Sequence, residues 1–148
     1  VQLTRHTDYS LRILLYLGSM KTPVTISHIA TSFGISKNHL VKVAHRLGKL
    51  GFITTTRGRS GGLALAHPAD EISLGQVVRA MEPGFDIVEC FDMQSNTCAI
   101  ADVCRLRNAL SQANSAFLQA LDVYTLADML MEPNQLNDRL VNTLPLHK

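Results

Sequence analysis

VTISHIATSFGISKNHLVKVAHRLGKLGFITTTRGRSGG, residues 24–62, reads as two short helices joined by a sharp turn and followed by a ribbon. Thr25 or Ser27 stands where a hydroxyl caps a helix, just before Ile29, Ala30 and Phe33. Gly34 breaks that helix, and Ile35 is the apolar residue of the turn. Ser36 is placed to cap a second helix with Leu40, Val43, Ala44, Leu47 and Leu50 on one face, ended by Gly51. This is a helix-turn-helix pattern. Its second helix holds Lys37, Asn38, His39, Lys42 and Arg46 off the apolar face. The N-terminal turn of such a helix is where base edges are touched. Phe52 to Thr56 is β-branched and strand-like, Arg57 to Gly62 is a glycine-rich turn with two arginines, and Leu63 to Ala66 returns as a second strand. A two-stranded ribbon after a recognition helix is a wing. Its arginine tip suits a minor groove or a phosphate backbone.

Outward from this unit, Thr7 is the expected cap of a first helix over about residues 7–20, with Asp8 in its first turn and Leu11, Leu14, Leu15 and Leu17 as its stripe. Ser73 is the expected cap of a short helix over Leu74, Val77, Val78 and Met81, ended by Pro83 and Gly84. From Arg105 to about Tyr124 one long helix is predicted. Leu106, Leu110, Ala113, Phe117 and Leu121 make a seam, either for packing onto the chain's own domain or, as expected because the winged unit already has a core of its own, for a partner helix. Thr125 to Leu130 reads as a short capped helix, and beyond Pro133 no clear period is visible. The expectation is a mainly α chain. A winged helix-turn-helix domain with a two-stranded β wing fills residues 1–82 and a cysteine-bearing loop residues 83–104. The long dimerisation helix and a short C-terminal helix fill residues 105–131, and residues 132–148 form a tail with no expected order.

A chain of 148 residues buries roughly 68–70% of its unfolded surface, enough to fold without disulfides. Its 46% hydrophobic content excludes a disordered chain, and its apolar runs are too short for a membrane span. The polar start VQLTRHTDYS predicts no signal peptide and makes the cytoplasm the expected compartment. Val1 in place of an initiator Met suggests a GUG start codon, to be checked by intact mass. Residues 1–62 hold nine Lys and Arg against one acid, Asp8, a net of +8; residues 63–148 hold five basic and eleven acidic residues, a net of −6. Such a basic half suggests a polyanionic partner, or else a solvated basic face. No nucleophile–base pair of an enzyme is visible. The turn from Gly58 to Gly62 lacks the lysine and the strand-to-helix setting of a phosphate loop.

Cys90, Cys98 and Cys104 stand at C-x7-C-x5-C spacing in one segment beside polar Gln94, Ser95, Asn96 and Thr97. An odd count in a reducing compartment argues against a disulfide pair. The spacing lacks both the close C-x2-C pair of zinc sites and the ferredoxin run. It leaves metal ligands on one side and redox or structural thiols on the other.

Taken together, the chain from Gln2 to about Leu130 resembles the iron–sulfur winged-helix repressors. The resemblance is carried by Leu3-Thr4 with Thr7-Asp8-Tyr9, by Gly34-Ile35-Ser36-Lys37-Asn38-His39-Leu40-Val41-Lys42, by Arg57-Gly58-Arg59-Ser60-Gly61-Gly62-Leu63, by Cys104-Arg105-Leu106 and by Tyr124-Thr125-Leu126-Ala127-Asp128. Asn38-His39 with Lys42 and the Asp8-Tyr9 pair look like the nitric-oxide-sensing branch. The resemblance implies a homodimer on a palindromic, double-stranded DNA operator. It implies an iron–sulfur cluster on Cys90, Cys98 and Cys104, four-iron (4Fe-4S) rather than two-iron (2Fe-2S), with Asp8 of the partner subunit as the remaining ligand. The other branch places a histidine just after the third cysteine, where this chain has Arg107 and Asn108. The interval between Cys90 and Cys98 is longer than in the short forms of the family. By the same resemblance Ser36, Lys37, Asn38, His39 and Lys42 are the expected major-groove residues, and Arg57 and Arg59 the wing contacts. Asn38 suits adenine, and Lys42 guanine or phosphate. The alternatives are an iron–sulfur-status or redox sensor of the same family, and a zinc-stabilised DNA-binding module with no sensing role.

Overall fold

The structure is a computed structural model that describes residues 2–59, 61–130 and 133–141; Val1, Ser60, residues 131–132 and residues 142–148 lie outside the described residues. Among the described residues seven helices and a two-stranded sheet follow in the order α1 (Arg5–Ser19), α2 (Ile26–Phe33), α3 (Lys37–Lys49), β1 (Ile53–Thr56), β2 (Gly62–Leu65), α4 (Leu74–Met81), α5 (Arg105–Asp122), α6 (Leu126–Met129) and α7 (Pro133–Val141). Single 3-10 turns lie at Ala69–Glu71 and Glu89–Phe91.

α1 is the hub. Ile13, Leu14, Tyr16 and Leu17 are buried along it, and it packs against α3, α4, β2, α6 and α7. It starts earlier than the sequence suggests, because the cap is Thr4, whose hydroxyl accepts the Thr7 N–H at 3.3 Å. Thr7 itself is fully buried inside the first turn. Two threonines three residues apart are equally good caps by type; the preceding chain decided between them, since the Glu82 carboxylate accepts the Thr4 N–H at 2.6 Å.

α2 starts at Thr25, whose hydroxyl accepts the His28 N–H, and ends at Gly34, which takes the left-handed conformation (φ 63°) that a side chain resists. α3 follows with Leu40, Val43, Ala44 and Leu47 buried on one face. β1 and β2 pair antiparallel, from Ile53 opposite Leu65 to Thr56 opposite Gly62. Val24 bridges Leu63 on the other side, with Val24 N–H to Leu63 O at 3.0 Å and Leu63 N–H to Val24 O at 2.8 Å. Gly62 makes that approach possible: a Cβ there would stand 2.8 Å from the Val24 backbone nitrogen. Gly62→Ala is therefore expected to destabilise the domain by about 1–3 kcal/mol, the range for overpacking. A denaturant midpoint unchanged from wild type would show that the wing root gives way freely.

α4 starts at Ser73 and lies against both α1 and α5. Gly75 lets α5 come close, for a Cβ there would collide with the Asp122 carboxylate. That carboxylate holds Arg79 in a two-pronged ion pair, its Oδ2 at 2.7 Å from Nη2 and its Oδ1 against Nη1. α6 opens with a reciprocal capping box between Thr125 and Asp128 and buries Leu126 against the same core. Of the segment expected as a loose tail, residues 133–141 are described, and they differ from that expectation; residues 132 and 142–148 lie outside the described residues. The part from Pro133 to Val141 is helical, with Leu140 buried and Leu136 packed on the core beside α1. Two leucines four apart among Asn and Asp give too little period to be seen without the surface they cover.

Candidate nucleic-acid interface and metal centre

Burial of one face of α3 turns the other outward. Lys37, Asn38, His39 and Lys42 are all exposed, as is Ser36 just ahead of them. Ser36 occupies the cap position of α3, yet its hydroxyl makes no capping hydrogen bond. Free N–H groups and an unused hydroxyl thus stand together at the helix start, where an anion or a base edge is favoured. At the wing tip Arg57 and Arg59 are exposed on either side of Gly58, whose φ of 111° turns the chain. The seven residues expected to touch DNA therefore fall on one helix start and one ribbon tip of a single domain.

Arg46, also read as off the apolar face, has a structural task. Its Nη2 donates to the Ala80 carbonyl at 2.8 Å, fastening α3 to the end of α4. Close by, Glu82 is only 8% exposed and accepts the Thr4 N–H. Burial pushes the His6 imidazole below its ordinary value, and Arg46 adds to that while Glu82 opposes it. None of these contacts is legible in the sequence, since the partners are 34 and 78 residues apart.

Asp8 sits on α1, its carboxylate held by Arg12 one turn later: Nε to Oδ1 at 3.0 Å and Nη2 to Oδ2 at 2.8 Å. The side chains of both remain 43% exposed. The Arg12 guanidinium lies over the Tyr9 ring at 5.8 Å and the Phe33 ring at 5.9 Å. Tyr9 in turn lies 6.5 Å from the His39 ring, centroid to centroid. Asp8 is thus connected, by packed side chains, to the first turn of α3.

The three cysteines are free thiols, Cys98 exposed and Cys90 and Cys104 half-buried. Cys104 is the N-cap of α5, its sulfur accepting the Arg107 N–H at 3.4 Å. The Arg107 side chain reaches back, its Nε donating to the Cys90 carbonyl at 3.1 Å and its Nη2 to the Met93 sulfur at 3.5 Å. One arginine therefore joins two of the three cysteines. A carboxylate joins the third: Glu89, before Cys90, accepts the N–H (2.7 Å) and hydroxyl (2.6 Å) of Thr97, before Cys98. These bonds hold the Glu89 carboxyl below its usual range, and those from Ser95 and Gln94 do the same for Asp92. Asn96 Oδ1 accepts the Cys98 N–H at 3.0 Å. Arg107, Glu89 and Thr97 are contributors the sequence reading missed. A cysteine at a helix start with an arginine three residues on is the one local hint of them.

The donor chemistry, three free thiols on one short loop, fits a soft metal or an iron–sulfur group. Among the described residues, however, no three His, Cys, Asp or Glu side chains are gathered as a ligand set within one chain. Holding such a group requires the loop to gather the three thiols, as expected where ligands are ordered by what they bind.

α5 is unusual in having no buried residue along its 18 positions. Arg107, Leu110, Asn114, Phe117 and Leu121 are half-buried, and Asn114 Nδ2 donates to the Phe85 carbonyl at 2.8 Å. The adjacent face, Leu106, Ala109, Ala113, Ala116, Ala120 and Val123, is exposed, Leu106 at 65% and Val123 at 75%. The seam read from the sequence mixed the two. Leu110, Phe117 and Leu121 belong to the half-buried face, whereas Leu106 and Ala113 belong to a bare stripe of small and aliphatic residues. Among the described residues no helix is long and apolar enough to cross a membrane.

Residues 3–132 match the Rrf2 family, described as "Iron-dependent Transcriptional regulator". The chain is 48% identical over 142 residues to the HTH-type transcriptional regulator NsrR of Geobacillus kaustophilus, covering 95% of this chain and 97% of that protein. It is 47% identical over 132 residues to the regulator of the same name from Bacillus subtilis, covering 88% and 90%. In three dimensions it is similar to T. potens IscR, with a TM-score of 0.74 at 24% identity over 92% of this chain and 90% of that one, a likeness of fold. The winged helix-turn-helix, its basic helix start and these relatives agree, and the chain belongs to the Rrf2 family of DNA-binding transcriptional regulators, not to a family of enzymes.

Proposed function

We propose that this regulator is a nitric-oxide-responsive repressor that works in the cytoplasm as a homodimer. It binds a palindromic operator while an iron–sulfur cluster is intact and releases it on nitrosylation. The observation that carries the reading is the loop in which Arg107 ties Cys90 to Cys104 at the start of α5. It couples two of the three thiols to α5, which packs on α4 by one side and leaves the other exposed. Cys90, Cys98 and Cys104 would hold the cluster, four-iron by preference, and the partner subunit's Asp8 would be the weaker fourth ligand. A cluster held by three thiolates and one carboxylate offers a small gaseous ligand an iron that is easily opened. An Asp8 carboxylate not engaged as a ligand would be held by Arg12, as it is here, and that pair is packed through Tyr9 against His39. Ser36, Lys37, Asn38, His39 and Lys42 would read the major groove, and Arg57 and Arg59 the adjacent backbone. Half-sites should lie about one helical turn, or a multiple, apart.

Arg57→Ala tests the wing by itself. Losing one phosphate contact should flatten the dependence of log affinity on log salt by about 0.9. An unchanged slope and affinity would take Arg57 off the interface. The whole reading is tested by measuring iron, sulfide and visible absorption of anaerobically purified protein while nitric oxide is added and operator binding is followed. Brown protein that bleaches as the operator is released is the expected result. Bleaching by oxidants or iron depletion but not by nitric oxide would favour an iron–sulfur-status or redox sensor. Colourless zinc protein that binds DNA regardless would leave a winged-helix module with no sensing role.

A further inference from the structure

Between α3 and the wing lies an open trough of 470 Å³. Ile26, Val41, Ala44 and Ile53 make its apolar floor, and His45 and Lys49 stand one turn apart on its rim. Val41 is 46% exposed, an aliphatic side chain on the outer side of a helix whose other outward positions are mostly polar. Asn38, Val41, His45 and Lys49 follow one another at steps of three and four residues, so they share a side of α3 with the positions proposed for base contact. The stretch of chain that supplies its lining carries basic residues and no acid: no Asp or Glu occurs in the sequence between Asp8 and Asp70.

We propose that this trough takes one strand of the operator, with Val41 packed against the C5-methyl of a thymine and His45 and Lys49 on the flanking phosphates. The proposal rests on the DNA-interface reading above and extends it to three residues that reading does not use. The thymine methyl is the one apolar group on the major-groove edge, and an aliphatic side chain is what distinguishes it. Phosphate contacts from the rim would fix the strand in register without reading sequence. A strand running from a helix in the major groove to a wing on the neighbouring backbone has to cross this trough. The uncompensated basic charge makes a polyanion, rather than an apolar peptide, its occupant.

The test uses full-length, anaerobically purified protein and a duplex selected for it from a randomised pool. Each thymine is replaced in turn by uracil, which removes one methyl group and nothing else. Wild-type protein should lose about fourfold in affinity at one thymine of a half-site, the worth of one buried methyl group. Val41→Ala should bind the thymine duplex about as weakly and be indifferent to the replacement. Lys49→Gln should keep the sequence preference and flatten the salt dependence by about 0.9. A wild-type protein insensitive to every replacement, or a Val41→Ala protein with the full wild-type penalty, overturns the thymine contact. An unchanged slope for Lys49→Gln overturns the phosphate contact. Failure of the DNA-interface reading looks different: no sequence is selected from the pool at all.

Discussion

Ala116→Arg is expected to turn the protein into a monomer and to cut operator affinity by about a hundredfold or more. Ala116 lies in the middle of the exposed stripe that runs from Leu106 to Val123 along α5, a helix with no buried residue of its own. Alanines there let a second helix come close, and a guanidinium placed between two such helices would be desolvated without a partner, at a cost of several kcal/mol per copy. The monomer would keep one recognition helix and lose the second. Joining two half-site contacts in one molecule multiplies affinity by roughly 10²–10⁴, and that factor is what disappears. Sedimentation gives the oligomeric state and circular dichroism the fold, which an exposed site should leave intact. Ala116→Ser, which adds almost no volume, should remain dimeric. A dimer that survives Ala116→Arg with full affinity would place the interface elsewhere.

Cys104→Ser is expected to remove iron and sulfide from the purified protein and to abolish the response to nitric oxide. Cys104 has two tasks, and the two substitutions available separate them. Its sulfur is a proposed ligand, and it also caps α5 by accepting the Arg107 N–H. Serine is a good N-cap but a poor soft donor, so Cys104→Ser should keep the start of α5 while losing the metal. Alanine does neither and should cost about a further 1 kcal/mol of stability for the missing cap. Equal thermal stability of the two variants would show that the cap is idle. A serine variant that still carries iron and still releases its operator on nitric oxide would remove Cys104 from the ligand set.

Much of the fold was legible because its signals are local. A hydroxyl before an apolar run marked the starts at Thr25 or Ser27, at Ser73 and at Thr125, and the structure uses Thr25, Ser73 and Thr125 as caps. The left-handed turn at Gly34, the amphipathic face of α3 and the threonine-rich strand before the arginine turn were equally visible. Each depends on residues a few positions apart, whose geometry the backbone fixes. The candidate DNA surface followed directly, because burying Leu40, Val43, Ala44 and Leu47 leaves Asn38 and Lys42 nowhere to point but outward.

Partners far apart in the chain decided the rest. Thr4 rather than Thr7 caps α1 because Glu82 fastens the backbone ahead of it, and Arg46 is drawn from the polar surface by the end of α4. Arg107 links two cysteines only because the loop folds back on α5. Residues 133–141 become a helix only where α1 supplies a surface for Leu140. The faces of α5 separate only once α4 and the segment at Phe85 occupy one of them. The winged helix-turn-helix, its basic face and the three thiols in one segment are written in local signals, since periodicity, caps and turns act over a single turn of backbone. Which side of the long helix stays bare, how the cysteines are linked and where residues 133–141 pack are settled only by folding, because each is set by burial against residues that lie far apart in the chain.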